Sequence, residues 1–264
     1  MFNNSRGLAQ INSAAGAAFN ISTAAAFVLA GCGVRVAKHG NRAVSSRCGS
    51  ADVLEELGVK IDLQPDQVRS SIQQIGIGFM FAPVFHAAMR HAALPRTEIG
   101  IRTIFNILGP LSNPANATHQ IVGVFNPAIT ELLARVLANL GVQGAMVVHS
   151  EDGLDELSLS AKSKVTELKN GRIRTYAVQP KNFGLKRVDI ARIRGGERLE
   201  NARIILDILQ GKQGPARDVV LMNASAALVV LEEARDFKDG VRIAAASIDS
   251  KAALQKLEML RQIR

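Results

Sequence analysis

No apolar run in this sequence is long enough to span a bilayer. The nearest candidate, AAAFVLAGCGV from Ala24 to Val34, follows Arg6, and its LAGC superficially matches a lipoprotein cleavage site. Asn20, Ser22 and Thr23 interrupt it on the N-terminal side, so a buried helix explains the same composition. Cysteine is also scarce. Cys32 and Cys48 form neither a CxxC pair nor a metal-spaced set, which excludes a disulfide scaffold and fits free thiols in a reducing compartment, read as cytoplasmic. Internal repeats, low-complexity tracts and linker-like stretches are missing too, which points to one domain. Acidic residues are the minority: 23 Asp plus Glu against 32 Lys plus Arg give +9, a balance that favours phosphate-rich small molecules, nucleic acid or an acidic surface as partners.

A chain of 264 residues with 47% hydrophobic content can bury one substantial core. Helix-like and strand-like segments alternate: AAAFVLAGC (helix), VRVAKH (strand), SADVLEELG (helix), QIVGVF (strand), AITELLARVLANLG (helix) and AMVVHS (strand). That alternation predicts an α/β fold with a largely parallel central sheet flanked by helices, and places the site in loops at the carboxyl ends of the strands. Beyond Leu157, KVTELKNGRIRTYAV carries Asn170-Gly171 between two strand-like runs, a tight hairpin. RLENARIILDILQG, VVLMNASAALVVLEEA and SKAALQKLEMLRQI read as closing helices. The start, MFNNSRGLAQINSAAGAA, shows no periodicity and reads as loop or frayed start, giving a poorly defined segment 1–18 and an α/β domain 19–264.

Three polar clusters invite chemistry. Lys38 ends a strand, and GNRAVSSRCGS behind it offers amides and hydroxyls that can wrap a phosphate before the next helix; an ordinary Gly/Ser turn with Ser50 as N-cap reads equally well. FNIST sets Asn20, Ser22 and Thr23 at a helix N-terminus, suited to an anion or to simple capping. In HSEDGLDELS, Asp155 and Glu156 follow a strand, a pattern suited to Mg²⁺ carrying substrate phosphates or to a solvated acidic turn.

Taken together, FNISTAAAFVLAGCGVRVAKHGNRAVSS, GSADVLEELGV, GIGFMFAPVFHAAMRHAALPRTEIGIRTIFNILGPLSNPA and VVHSEDGLDELS resemble the anthranilate phosphoribosyltransferases of tryptophan biosynthesis, from about Phe19 to the C-terminal LEML. The resemblance implies a nucleoside phosphorylase/phosphoribosyltransferase-like fold and transfer of the 5-phosphoribosyl group from 5-phosphoribosyl 1-pyrophosphate to anthranilate. It implies that Asn20, Ser22, Thr23, Lys38, His39, Gly40, Asn41, Arg42, Ser45, Ser46 and Ser50 hold the phosphates and ribose, with Lys38 stabilising charge and no covalent nucleophile. It assigns Ser22, Asp155 and Glu156 to Mg²⁺, Asn41 and Arg96 to anthranilate, and His39, His86, Gly109 and Pro110 to the lining of the anthranilate pocket.

Other side chains have plainer readings. His91, His119 and His149 read as surface or strand-end residues, and Phe79, Phe81 and Phe85 as core; Arg102 suits substrate binding or an internal hydrogen bond. Family members carry a helical segment, a strand and a glycine-rich loop of the GTGGDG type ahead of FNIST, where this sequence reads AQINSAAGAA. The resemblance therefore implies that these three features are absent or unrecognisable, that the pyrophosphate grip is weakened with activity low or lost, and that the family's homodimer interface is incomplete. Cys48 stands where serine is common. Two competing readings are a non-catalytic relative binding an anion such as nucleic acid, and a nucleoside phosphorylase. Lys38, Asn41, Arg96, Asp155 and Glu156 favour the transferase over a polyanion binder, which needs neither an anthranilate pocket nor acidic ligands, and KHGNR with PRTEIGIRT speaks against the phosphorylase.

Overall fold

A computed structural model describes residues 7–12, 18–43, 47–86, 108–109 and 111–263. Seven strands form one sheet in the order β3-β2-β1-β4-β5-β6-β7. They are β1 (Leu8–Asn12), β2 (Arg35–Gly40), β3 (Ile77–Phe81), β4 (His119–Gly123), β5 (Gly144–Ser150), β6 (Ser163–Lys169) and β7 (Arg172–Val178). The first five pair in parallel, while β6 and β7 add an antiparallel hairpin at one edge. The α/β reading and the parallel centre are borne out.

The start of the chain departs from its loop reading, and of the two readings of the first strand, absent or unrecognisable, absence is ruled out. LAQIN is β1, the middle one of the five parallel strands, flanked by β2 and β4 on its two sides. Its five residues, two of them polar, are too short to show periodicity, and burial on both faces removes the polar alternation that marks a half-exposed strand. Because the chain runs from β1 outward through β2 and β3, then returns to β4 beside β1, the sheet reverses direction there. In open α/β sheets such a reversal opens a crevice at the carboxyl edge.

Helix α1 (Ile21–Gly31) is buried from Ile21 to Ala30, so the AAAFVLAG run is an interior helix. Its alanines let neighbours approach closely; a Cβ on Gly31 would lie 2.6 Å from the Ala253 backbone nitrogen. On the same sheet face pack the later helices α6 (Arg198–Leu209), α7 (Pro215–Val230), α8 (Phe237–Asp249) and α9 (Ala252–Arg261), which join α1 in the main core. The opposite face carries two smaller clusters, one under α3 (Pro65–Gln74) and one under α5 (Thr130–Asn139). Two short helices, α2 (Ser50–Glu56) and α4 (Ala82–Phe85), follow β2 and β3. Elements α3, β3 and α8 were not read from the sequence. Among the described residues no helix is long and apolar enough to cross a membrane.

The expected hairpin turn is present: Asn170 and Gly171 both have positive φ, 50° and 73°, between β6 and β7, as a two-residue turn matched to strand twist requires. Nothing lies within 4 Å of a Cβ built on Gly171. Gly171→Ala should therefore act through the backbone alone, costing about 1 kcal/mol and lowering the urea midpoint without changing the slope. An unmoved midpoint would show that the turn relaxes freely.

Candidate functional site

The end of β1, the first turn of α1 and the segment after β5 meet around Lys38 near the carboxyl edge of the parallel strands. Lys38 sits in β2 and is only 4% exposed. Its Nζ donates to the Ile11 carbonyl at the end of β1 (2.8 Å) and to Ser22 Oγ in the first turn of α1 (3.1 Å). Burial pushes the ammonium down to about 8, against the opposing pull of Glu156 and Asp155. The α1 N-terminus carries no side-chain cap of its own; the Ser22 amide donates to Glu156 Oε1 at 3.0 Å instead. A carboxylate from a remote loop thus occupies the positive end of the helix dipole.

Asp155 and Glu156 are 3% and 6% exposed, which overturns the solvated-turn alternative. Two buried carboxylates lie beside one ammonium, an arrangement suited to a divalent cation. Among the described residues no cluster of three or more His, Cys, Asp or Glu could cage a metal. Two carboxylates and the Ser22 hydroxyl therefore fit an ion that keeps waters and shares its coordination with substrate phosphates, which is the habit of Mg²⁺.

Asn20 is placed differently from a helix cap. Its Nδ2 donates to the Cys48 carbonyl (3.2 Å) and its Oδ1 accepts from Asn201 Nδ2 (3.1 Å), joining the head of α1 to the β2–α2 loop and to α6. Thr23 Oγ1 is buried without a hydrogen-bond partner among the described residues, and such a group calls for a ligand or water. In the β2–α2 loop, Gly49 rather than Ser50 is the N-cap of α2. Gly49 lies so close to the start of the loop that a Cβ there would fall 2.6 Å from the Asn41 carbonyl oxygen. Ser50 Oγ lies against Gly40, and Asn41 is exposed. Arg42 turns toward α2, where it pairs with both oxygens of Glu55 (2.7 and 2.8 Å) and with Asp52 (3.2 Å), its guanidinium 5.7 Å over the Phe81 ring. Cys48 is a buried thiol pushed up to about 11 by burial, unsuited to nucleophilic work.

Asp52 and Asn201 were missed in the sequence. One Asp52 oxygen accepts from both Ala43 and Gly49 amides, each at 2.9 Å, and so clamps the two ends of the loop. The signal was available: an acid three residues after a glycine at a helix start is a capping pattern. Asn201, in α6, gave no local signal.

His39, His86 and Gly109 come together as the resemblance grouped them. The imidazoles of His39 and His86 lie 5.0 Å apart, edge to face at 77°, and His39 hydrogen-bonds the Gly109 backbone. Burial, then His86 and Lys38, push His39 down to about 4, against the Gly109 bond. His86 Nε2 is buried without a hydrogen-bond partner among the described residues. His119 and His149 are half-buried strand residues bonded to Thr118 Oγ1 (2.9 Å) and the Val124 carbonyl (2.8 Å). Phe79 is core, Phe81 is partly buried against the same cluster, and Phe85 is partly buried against the smaller cluster under α3. Ser45, Ser46, His91, Arg96, Arg102 and Pro110 lie outside the described residues.

Residues 14–254 match the family model described as "Glycosyl transferase family, a/b domain". The chain is 56% identical over 242 residues to the anthranilate phosphoribosyltransferase of Citrifermentans bemidjiense, covering 92% of this chain and 69% of that protein. It is 55% identical over 240 residues to that of Acetivibrio thermocellus, covering 91% and 70%. Among solved structures, anthranilate phosphoribosyltransferase from Thermus thermophilus superposes with TM-score 0.90 at 42% identity, over 98% of this chain and 78% of that one. The Saccharomyces cerevisiae enzyme in complex with PRPP and Mg gives TM-score 0.88 at 30% identity, over 96% and 72%.

The position of His39 makes stability pH-dependent. Its folded value near 4 lies below the ordinary 6.5, so between those limits the unfolded chain binds a proton that the folded chain does not. Folding therefore weakens as pH falls from 6.5 to 4, by about 3 kcal/mol in full. Denaturant midpoints at stepped pH should fall less steeply in His39→Gln than in the wild type; equal slopes would rule this out.

Proposed function

The chain belongs to the anthranilate phosphoribosyltransferases, and we propose that the arrangement around Lys38 is the seat of their reaction in this protein. The chain transfers the 5-phosphoribosyl group from 5-phosphoribosyl 1-pyrophosphate to the amine of anthranilate. The bond from ribose C1 to the pyrophosphate oxygen breaks, a bond from C1 to nitrogen forms, and the amine gives up a proton. The observation that carries the site reading is the buried contact of Lys38 with Ser22 beside Asp155 and Glu156.

The side chains then divide by the charge they meet. Asp155, Glu156 and Ser22 hold Mg²⁺, whose bound charge offsets that of the pyrophosphate. Lys38, largely protonated at neutral pH, opposes the charge that builds on the leaving group. Asn20, Thr23, the segment from Lys38 to Ser46 and Ser50 bind the phosphates and ribose, with Asn20 fixed between Asn201 and the Cys48 carbonyl. Arg42 serves the loop through Glu55 and Asp52. Anthranilate meets Asn41 and Arg96, the arginine pairing with its carboxylate, while His39, His86, Gly109 and Pro110 line its ring. The depressed His39 stays neutral at pH 7 and so offers the aromatic ring a face without competing charge. No side chain needs to attack ribose, because a good leaving group and a neutral amine suffice.

Replacing both Asp155 and Glu156 by Ala should abolish Mg²⁺-dependent binding of phosphoribosyl pyrophosphate in calorimetry while thermal unfolding stays cooperative; retained binding would remove these residues from the metal site. Arg96→Ala deletes one charge-assisted bond worth about 1.5–3 kcal/mol, so the KM for anthranilate should rise by roughly 10- to 150-fold with that for the donor little changed. Equal losses for both substrates would point to a general defect.

A further inference from the structure

The loop from Glu151 to Lys162 delivers two buried carboxylates to the site yet belongs to no helix or strand. Its placement comes from side chains behind it. Asn223, midway along α7 and 2% exposed, clasps the residue that follows Glu156: its Nδ2 donates to the Leu157 carbonyl (3.0 Å) and its Oδ1 accepts from the Leu157 amide (3.1 Å). The same Nδ2 donates to the Val219 carbonyl one helical turn earlier (2.9 Å), which anchors the amide to its own helix. From the other side, Ser150 Oγ at the end of β5 donates to the Glu156 carbonyl at 2.8 Å. The backbone on both sides of the Glu156–Leu157 peptide is therefore fixed to rigid elements, and the Glu156 carboxylate is left aimed at the Ser22 amide.

We propose that Asn223 is a positioning residue for the Asp155–Glu156 pair, acting through the Leu157 backbone to set where the metal and pyrophosphate are held; this rests on the assignment of that pair made above. Asparagine is a poor choice for the middle of a buried helix, where an aliphatic side chain would pack with better helix propensity and no polar group to satisfy. Its amide has the one geometry that pairs with both the N–H and the C=O of a single residue, as a neighbouring strand would. Partners behind metal ligands commonly matter to affinity almost as much as the ligands themselves.

The test compares wild type, Asn223→Ala and the Asp155→Ala/Glu156→Ala double variant. It uses calorimetry of phosphoribosyl pyrophosphate with and without Mg²⁺, fluorescence titration of anthranilate, and hydrogen exchange of residues 154–158. In Asn223→Ala the Mg²⁺-dependent affinity should drop roughly 10- to 100-fold and the loop amides should exchange faster, with Mg²⁺-free binding and anthranilate affinity unchanged. If truncation unfolds α7, Asn223→Asp carries the test, since it keeps the shape and the acceptor for the Leu157 amide but has no N–H for the Leu157 carbonyl. Wild-type binding in Asn223→Ala beside lost binding in the double variant overturns the positioning role alone. Equal weakening toward both substrates also overturns it, as a general structural defect. Wild-type binding in the double variant, or no Mg²⁺-dependent binding in the wild type, removes the acid-pair assignment and this inference with it.

Discussion

A lysine ammonium held almost wholly out of water is the constraint around which the site is arranged. Burying a single charge costs several kcal/mol unless partners repay it, and Lys38 finds its partners on three different segments: the Ile11 carbonyl of β1, the Ser22 hydroxyl of α1, and the field of Asp155 and Glu156 from the loop after β5. None of these is near Lys38 in sequence. The central strand must be in register, α1 must start where it does, and the acid loop must fold back before the charge is tolerated.

The acid pair obeys the same logic in reverse. Two carboxylates in a buried loop repel each other, and their charge is offset by the ammonium and by the amide at the head of α1. Carboxylates outnumber the ammonium in this part of the site, a balance suited to a divalent ion. A few residues away the environment is the opposite. His39 and His86 meet edge to face under burial that favours the neutral imidazole of His39. Among the described residues the charged groups Lys38, Asp155 and Glu156 thus lie a short way from a pair of imidazole rings.

Much of this could be read from the residues. AAAFVLAG is too apolar along its whole length to be anything but interior, and all of Ile21–Ala30 is buried. Asn170-Gly171 can hardly avoid a tight turn, because those two residue types tolerate positive φ. The pairing of KHGN with NIST and with Asp155-Glu156 was legible through family resemblance, since each motif alone read equally well as a cap or a solvated turn. What escaped notice was short or doubly buried: β1, with five residues and two polar side chains, and β3, whose burial leaves no alternation to detect.

The sequence by itself determined the alternation of elements, the buried first helix, the hairpin and the chemical character of the clusters, because each depends on periodicity or on the torsional preference of one or two residues. Only the tertiary structure decided how those clusters are spent. It turned Arg42 onto Glu55 and Asp52 on α2, gave Asn20 to Cys48 and Asn201 instead of to its own helix, and set Asn223 behind Leu157. The physical reason is that such hydrogen bonds, the Asn20–Asn201 pair being 181 positions apart, depend on where the sheet and helices bring distant segments together. A side chain's own identity says what it can donate or accept, and leaves open which distant carbonyl or amide will meet it.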